Sequence, residues 1–317
     1  MHNILLTGGS GFLGKHLLKK LSKFQLSVLD RSVTEKDEQF TYFKASIDSK
    51  SSYSLELKNV KTVIHCAARV HIMNEQISDP LSEFREINTA GTVNLARQAV
   101  TAGVKRFIFV SSIKVNGEST QPGRPFSVSD ARKAEDFYGQ SKLEAEEQLL
   151  ELAKETGLEV VIIRPTLVYG PDVKANFASL MNLVSKGIPL PFGCITDNRR
   201  SLVSVSNLVD LILTCIDHPK AANQVFLVSD DHDVSTASMV MNMSQALGKS
   251  SKLLPVPLWC YRLVGKLAGK TDVVNRLLGS LQVDITHTKD TLGWVPPQTL
   301  EDGFRETAEA FLLNKNK

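Results

Sequence analysis

The chain has only four cysteines, Cys66, Cys194, Cys215 and Cys260, with no C-x-x-C pair among them. That excludes a disulfide scaffold and predicts reduced, mostly buried thiols. Its seven histidines include no H-x-x-x-H spacing, so no metal site is expected. It lacks an excess of either charge. The formal +3 is too small and too dispersed to argue for nucleic acid or an anionic membrane as the main partner, and no block of five basic residues appears. It also lacks the run of ~18 apolar residues that a membrane-spanning helix needs. The longest uncharged apolar run of its C-terminal half, Leu253 to Tyr261, is broken by two prolines. There is no internal repeat or low-complexity tract. No removable signal peptide is expected, because residues 1–14 read as a core strand and turn, and a cytoplasmic location follows. What remains, 317 residues at 42% hydrophobic and 22% charged, is an ordinary globular composition long enough for two lobes.

The stretch that organises the chain runs from Asn3 to Gly14. An apolar strand, Ile4 to Leu6, enters glycines at 8, 9, 11 and 14, and a helical pattern of Phe12, Leu13, Leu17, Leu18 and Leu21 follows at once. Gly9, Gly11 and Gly14 satisfy G-x-G-x-x-G, a spacing that permits a tight turn, close approach of the backbone to a pyrophosphate, and close packing of helix on strand. The free N–H groups at the helix start, where Phe12 and Leu13 lie, would face the phosphates. A second strand, Leu26 to Leu29, ends at Asp30, 19 residues after Gly11. A carboxylate there accepts hydrogen bonds from the adenosine ribose and repels a 2′-phosphate, which favours NAD over NADP. Arg31 keeps NADP open, because a guanidinium beside the ribose could pair with that phosphate.

Beyond Asp30, strand and helix patterns alternate. Short apolar runs at Phe40 to Phe43, Val63 to His65, Phe107 to Val110 and Val160 to Ile163 read as strands, and Leu81 to Ala102 reads as one helix stopped by Gly103. Alternation predicts a doubly wound parallel α/β sheet whose ligands lie beyond the carboxyl ends of the strands. At those ends stand His65-Cys66-Ala67-Ala68, where small residues let a cofactor pass close, and Ser111-Ser112, which bring two hydroxyls to the cleft. A loop rich in Gly, Pro and Ser then leads to Tyr138-Gly-Gln-Ser-Lys142 on a helix running to Lys154. Tyr and Lys four apart share a helical face. A neighbouring ammonium favours the ionised phenol, so the pair can move a proton between an alcohol and a ketone.

Taken together, these motifs resemble the extended short-chain dehydrogenase/reductases, and among them the nucleotide-sugar epimerase/dehydratase family. The resemblance is carried by Thr7-Gly8-x-x-Gly11-x-x-Gly14, Asp30, His65-x-Ala67-Ala68, Asn88-x-x-Gly91-Thr92-x-Asn94, Ser111-Ser112, Tyr138-x-x-x-Lys142, Arg164-Pro165, Tyr169-Gly170-Pro171 and Leu292-Gly293-Trp294-x-Pro296. It implies a catalytic triad of Ser112, Tyr138 and Lys142. It also implies a cofactor site that includes Gly8, Ala67, Ala68, Asn88, Lys142 and Pro165. Residues 1–170 are then expected to form the NAD-binding domain and residues 171–317 a smaller substrate lobe. That lobe carries helical patterns at 175–185, 207–218 and 235–247 and short strands at 202–205 and 225–228. By the same resemblance, Asn176 and Arg200 would hold the nucleoside diphosphate, with Arg200 gripping the pyrophosphate through two donors.

The expected substrate is a nucleotide sugar, a UDP-sugar by resemblance, and a homodimer is left open. The lead activity is NAD-dependent 4-epimerisation of a UDP-hexose or N-acetylhexosamine through a 4-keto intermediate. The alternatives are an NAD(P)H-dependent 4-ketoreductase of a UDP-4-keto sugar and a non-catalytic dinucleotide sensor. Four departures bear on specificity. Ile113 and Lys114 stand where 4,6-dehydratases carry an acidic pair, which disfavours water elimination for want of a proton donor. Asn116 stands where tyrosine is frequent, Leu167 where many epimerases have asparagine, and Ser46 where aspartate is frequent near the adenine. Finally, Trp259, Tyr261 and Leu263 beside Arg262, Lys266 and Lys270 allow peripheral membrane docking, against the plainer reading of an ordinary substrate-lobe helix with solvated lysines.

Overall fold

The computed structural model describes residues 2–32, 37–70 and 79–315. Apart from the edge strand Thr41–Lys44, which is partly exposed, the apolar runs become strands because each is short and buried on both faces. In chain order the elements begin with β1 (Asn3–Thr7), α1 (Phe12–Lys20), β2 (Gln25–Asp30), β3 (Thr41–Lys44), β4 (Thr62–His65), α2 (Pro80–Phe84), α3 (Thr92–Thr101), β5 (Arg106–Val110), α4 (Phe137–Thr156), β6 (Glu159–Pro165) and β7 (Leu167–Tyr169). There follow α5 (Ala175–Ser185), β8 (Arg200–Ser204), α6 (Val205–Asp217), β9 (Gln224–Val228), β10 (Asp233–Val234), α7 (Thr236–Ala246), α8 (Leu258–Leu267), α9 (Thr271–Leu278), α10 (Thr286–Leu292) and α11 (Leu300–Lys315).

Seven parallel strands form the main sheet in the order β3-β2-β1-β4-β5-β6-β9. The strand order reverses at β1 and β4, so the crevice of a doubly wound sheet opens beyond Thr7 and His65. Period-two alternation divides each strand between two cores. Ile4, Leu6, Ile64, Ile108, Val161 and Ile163 meet Leu17 of α1 and Leu208, Leu211 and Ile212 of α6. Leu5, Val63, Phe107, Phe109, Val160 and Ile162 meet Leu95 and Ala99 of α3 and Ala145 and Leu149 of α4. Burial on both faces accounts for the unbroken apolar runs in the sequence.

Two expectations are corrected. The strand at 225–228 and the helix at 207–218 do not belong to the smaller lobe: β9 pairs with β6, and α6 covers the main sheet beside α1. Residues 285–294 also return to this core through Ile285, Leu292 and Trp294. The smaller lobe is built instead on the sheet β10-β8-β7 with a separate core of Phe177, Met181, Leu202, Val240, Met243 and Phe304. The single helix expected over 81–102 is interrupted by a π-helical segment, Arg85–Gly91. There Gly91 lies so close to the loop after β3 that a Cβ would stand 2.9 Å from the Asp48 amide nitrogen.

Candidate active site

The glycine turn divides its labour. Gly8 makes the tight turn with φ +76°, and a Cβ there would meet the Ala67 nitrogen at 2.8 Å. A Cβ at Gly14 would stand 2.1 Å from the Gly8 carbonyl oxygen, so that glycine lets α1 pack on the turn. At Gly11 the one neighbour within 4 Å among the described residues is the Gly8 oxygen at 3.1 Å. Protein packing therefore demands Gly8 and Gly14 most strictly, whereas Gly11 leaves room for a ligand to approach the backbone. The start of α1 supports this: Gly11 caps it without a side chain, while Asp136, Ser204 and Ser235 cap α4, α6 and α7. Uncapped N–H groups at the mouth of the crevice suit an anion. Phe12 packs edge-to-face on His16, and both Phe12 and Leu13 lean on the core, leaving their backbone toward the turn.

Asp30 ends β2 beside this turn. Its carboxylate accepts hydrogen bonds from the Ser10 amide at 2.8 Å and the Ser32 amide at 3.3 Å. A cavity of about 820 Å³, lined in part by Gly9, Ser10, Val28, Asp30, Phe40 and Tyr42, opens here. Arg31 is exposed. Glycine turn, uncapped helix and carboxylate thus fit the phosphates and ribose of a dinucleotide.

Beyond β4, the buried His65 ring joins Thr7 Oγ1 at 2.7 Å and Thr92 Oγ1 at 2.9 Å. Burial, with the Lys142 charge nearby, pushes its pKa down to about 3, so it is neutral. Thr7 Oγ1 in turn accepts from the Ala67 amide at 3.2 Å, which fixes the Ala67-Ala68 backbone over the turn. Asn88 is fully buried in the π-helical segment. Its Oδ1 accepts from the Arg69 amide at 2.8 Å, and its Nδ2 donates to the Arg69 carbonyl at 2.9 Å and to Ser141 Oγ at 3.0 Å. Its donors are spent within the protein, which makes Asn88 a positioning residue that ties the loop after β4 to α4. Ser141 completes the tie by donating to the Tyr138 carbonyl at 2.8 Å. The sequence reading missed Ser141, although its place inside Tyr138-x-x-Ser-Lys142 was a signal.

The two serines after β5 part company. Ser111 is buried and donates to Glu146 Oε1 at 2.5 Å, whereas half-buried Ser112 accepts from the Lys114 amide at 3.3 Å and remains at the cleft. Gly139 lets α4 start against this turn, since a Cβ there would lie 2.8 Å from the Lys114 carbonyl oxygen. Lys114 forms ion pairs with Asp136, the α4 cap, and with Glu118 at 3.0 Å. Burial opposes its charge, but these two carboxylates more than offset that and hold its pKa above the ordinary value. Where dehydratases carry acid, this chain has a strut that fixes the start of the tyrosine helix.

Lys142 is 1% exposed, donates to the Val110 carbonyl at 2.9 Å, and sits 4.3 Å above the Phe109 ring. Burial drives its pKa down to about 8, against the opposing influence of Cys66 and Glu146. Burial pushes the Cys66 thiol up to about 12. Tyr138 stacks edge-to-face with Phe84 at 6.4 Å. Its phenol departs from expectation: burial first, and Asp136 second, raise its pKa above the usual value rather than lowering it.

Lys142 yields a pH prediction. A lysine with a folded-state pKa near 8 and an unfolded one near 10.4 is charged in both states below pH ~8, where its burial costs stability. Stability rises with pH across ~8 to ~10 as the folded state sheds the proton first. Lys142→Met is expected to unfold at higher urea concentration than wild type at pH 7, by about 3 kcal/mol. That gap should close by pH ~10, and turnover should be lost. A variant no more stable than wild type at pH 7 would show that the buried ammonium costs nothing.

Pro165 ends β6 in register with Val228 and is buried. The diphosphate candidates are not brought together: Asn176 is exposed in the first turn of α5 with no hydrogen bond among the described residues. Arg200 lies half-buried at the start of β8, and its Nη1 donates to the Arg276 carbonyl at 2.7 Å and the Gly279 carbonyl at 3.3 Å. No carboxylate pairs with it among the described residues. Burial, then the Arg276 charge, lower its pKa. Among the described residues neither Arg200 nor Arg276 has an acid partner, and Arg276 carries no motif that marks it in the sequence.

A dinucleotide cradle and a Tyr-x-x-x-Lys helix beside one parallel sheet define a dehydrogenase/reductase of the short-chain type. The model of the NAD dependent epimerase/dehydratase family matches residues 4–229, and the chain belongs to that family. Its cofactor is NAD. The chain is 61% identical over 318 residues to a UDP-glucose 4-epimerase of Vibrio cholerae, covering 99% of this chain and 97% of that one. It is 28% identical over 341 residues to an N-acetyl-alpha-D-glucosaminyl-diphospho-ditrans,octacis-undecaprenol 4-epimerase of Escherichia coli O157:H7, covering 99% and 97%. In fold it is similar to the UDP-glucose 4-epimerase of Thermotoga maritima solved with UDP-glucose, at a TM-score of 0.78 and 24% identity over 99% of both chains.

Proposed function

We propose that this protein interconverts the C4 epimers of a UDP-hexose or its N-acetyl relative, with NAD as a tightly reused cofactor. The observation that carries the reading is the 61% identity, over nearly the whole of both chains, to an enzyme named UDP-glucose 4-epimerase. When bound, NAD would supply the chemistry of accepting hydride from C4 and returning it. Ser112 Oγ holds the C4 oxygen. Tyr138 takes that oxygen's proton as the ketone forms and returns it afterwards. Lys142 spends one N–H on Val110 and keeps two for the cofactor ribose, while its charge adds to what brings the raised phenol pKa down. Arg200, with Arg276 behind it, holds the diphosphate. Leu167, 45% exposed on β7, offers the sugar no directional hydrogen bond, which suits a ketone that must turn between its two faces. No described helix is long and apolar enough to cross a membrane, in keeping with work on a water-soluble nucleotide sugar in the cytoplasm.

Purified enzyme given UDP-glucose or UDP-galactose is expected to approach the same equilibrium mixture from either side with no net change in nicotinamide absorbance. An epimerase returns its hydride to the same sugar. Stoichiometric consumption of NAD(P)H with a UDP-4-keto sugar, and no interconversion of any UDP-hexose pair, would establish the 4-ketoreductase instead. Binding of NAD without either reaction would leave the dinucleotide sensor.

A further inference from the structure

We propose that α8 and α9 form a docking face for an anionic lipid surface. The pair is attached to the smaller lobe by a thin inner layer, in which Leu258, Tyr261, Leu277 and Leu278 lean on the lobe's core. Tyr261 therefore points inward, with its hydroxyl buried, and is not part of the outer face. The two helices pack on each other where α8 carries Gly265, since a Cβ there would lie 2.6 Å from Val274 Cγ1's twin methyl, Cγ2. Gly265 is the one buried residue of α8, and α9 has none.

What the pair turns outward is apolar. Trp259 is 64% exposed and Leu267 80%, with Leu263, Val264 and Val273 each half-exposed or more. Trp259, Leu263 and Leu267 recur every four residues and so share one stripe of α8. Arg262 and Lys266 flank that stripe on the same helix, and Lys270 follows at its end. Long basic side chains beside a tryptophan and leucines are what a bilayer interface accommodates, the aliphatic stems lying on apolar surface and the charges reaching phosphates.

The charge distribution selects the occupant. From Lys249 to Arg276 there are six basic residues and one acidic, Asp272, a net +5. The whole chain carries +3, so everything outside this segment is net −2, and the charge that looks dispersed from the sum is concentrated here. A second copy meeting the face across a two-fold axis would set this positive charge against itself. An anionic headgroup layer complements it and accepts the apolar stripe as well.

The test is sedimentation of the full-length enzyme with vesicles of phosphatidylcholine, with and without phosphatidylglycerol. Wild type is expected to sediment with the anionic vesicles at low salt, to be released by added salt, and to stay in solution with phosphatidylcholine alone. The chain has two tryptophans, and Trp294 is buried with its Nε1 donating to Asp210 at 2.8 Å. A blue shift of fluorescence on adding anionic vesicles therefore reports Trp259. The double variant Lys266→Gln/Lys270→Gln should weaken binding by roughly twentyfold or more, at roughly fivefold per charge. Trp259→Ser/Leu267→Ser should weaken it at least as much, with turnover of soluble substrate unchanged in both. Failure of wild type to sediment with anionic vesicles would overturn the proposal, as would binding that neither variant weakens. It would equally be overturned if these substitutions instead dissolved a wild-type dimer seen by sedimentation velocity, since the face would then belong to a second copy.

Discussion

Tyr138→Phe is expected to lower turnover of a UDP-hexose by at least ~10²-fold while leaving NAD affinity within a small factor of wild type. The substitution removes one oxygen, the atom assigned to move the proton, and a positioned acid or base contributes ~10² to 10⁴. The ring itself stays, still edge-to-face with Phe84, and the helix start remains held by Asp136, Lys114 and Gly139. A global collapse is therefore not anticipated. Measuring kcat together with NAD affinity by calorimetry separates the outcomes. Retention of more than about a hundredth of wild-type turnover would take the proton-transfer role away from Tyr138, and loss of NAD binding would make its role structural.

The largest expected effect on stability lies about two turns further along α4. Glu146 and Arg164 form a fully buried ion pair, with Nη2 to Oε2 at 2.5 Å and Nε to Oε1 at 2.9 Å. The pair is embedded in further hydrogen bonds. Ser111 donates to Glu146, and Arg164 Nη1 donates to Asn116 Oδ1 at 3.0 Å. Asn116, where tyrosine is frequent among relatives of this type, is thus occupied in holding the arginine. Glu146→Gln leaves a guanidinium buried without a counter-charge, and about 3–5 kcal/mol of stability should be lost in urea denaturation. Because an apolar pair of similar volume avoids that penalty, Glu146→Met/Arg164→Met should cost less than either single methionine substitution. If the double variant costs the sum of the singles, the two side chains act independently and the pair is not the unit described. Turnover should fall in Glu146→Gln as well, since the same carboxylate anchors Ser111 next to Ser112.

Much of the candidate site is legible in the sequence alone: the glycine turn, Asp30 and the Tyr138/Lys142 pair are assigned from spacing. The misreadings share one feature. Ser111 and Ser112 look equivalent in sequence, and only the carboxylate of Glu146, 35 residues later, turns the first away from the cleft. Arg200 stands out alone in the sequence, because Arg276 comes from a helix 76 residues later. The segment at 225–228 looked like any short lobe strand, and nothing local tells a strand which of two sheets has the free edge. For the phenol of Tyr138 the sequence shows only the lysine on its own helix face; burial first and Asp136 second, which raise it, come from tertiary packing, as does the Val110 carbonyl that takes one N–H of Lys142.

By itself the sequence determined the properties that depend on near neighbours. Periodicity of apolar residues set the order of strands and helices, and left-handed backbone at Gly8 and the steric demand at Gly14 set the dinucleotide turn. Spacing of four put Tyr138 and Lys142 on one helix. Tertiary structure decided what depends on residues far apart. It determined which strand takes the outer edge of the main sheet, which hydroxyl stays in the cleft, and which charges lose their water. Local pattern acts through backbone angles and side-chain size, which travel with each residue. Pairing partners and dielectric are set by whatever the rest of the chain brings alongside, and for Lys142 that burial is enough to bring an ammonium to about 8.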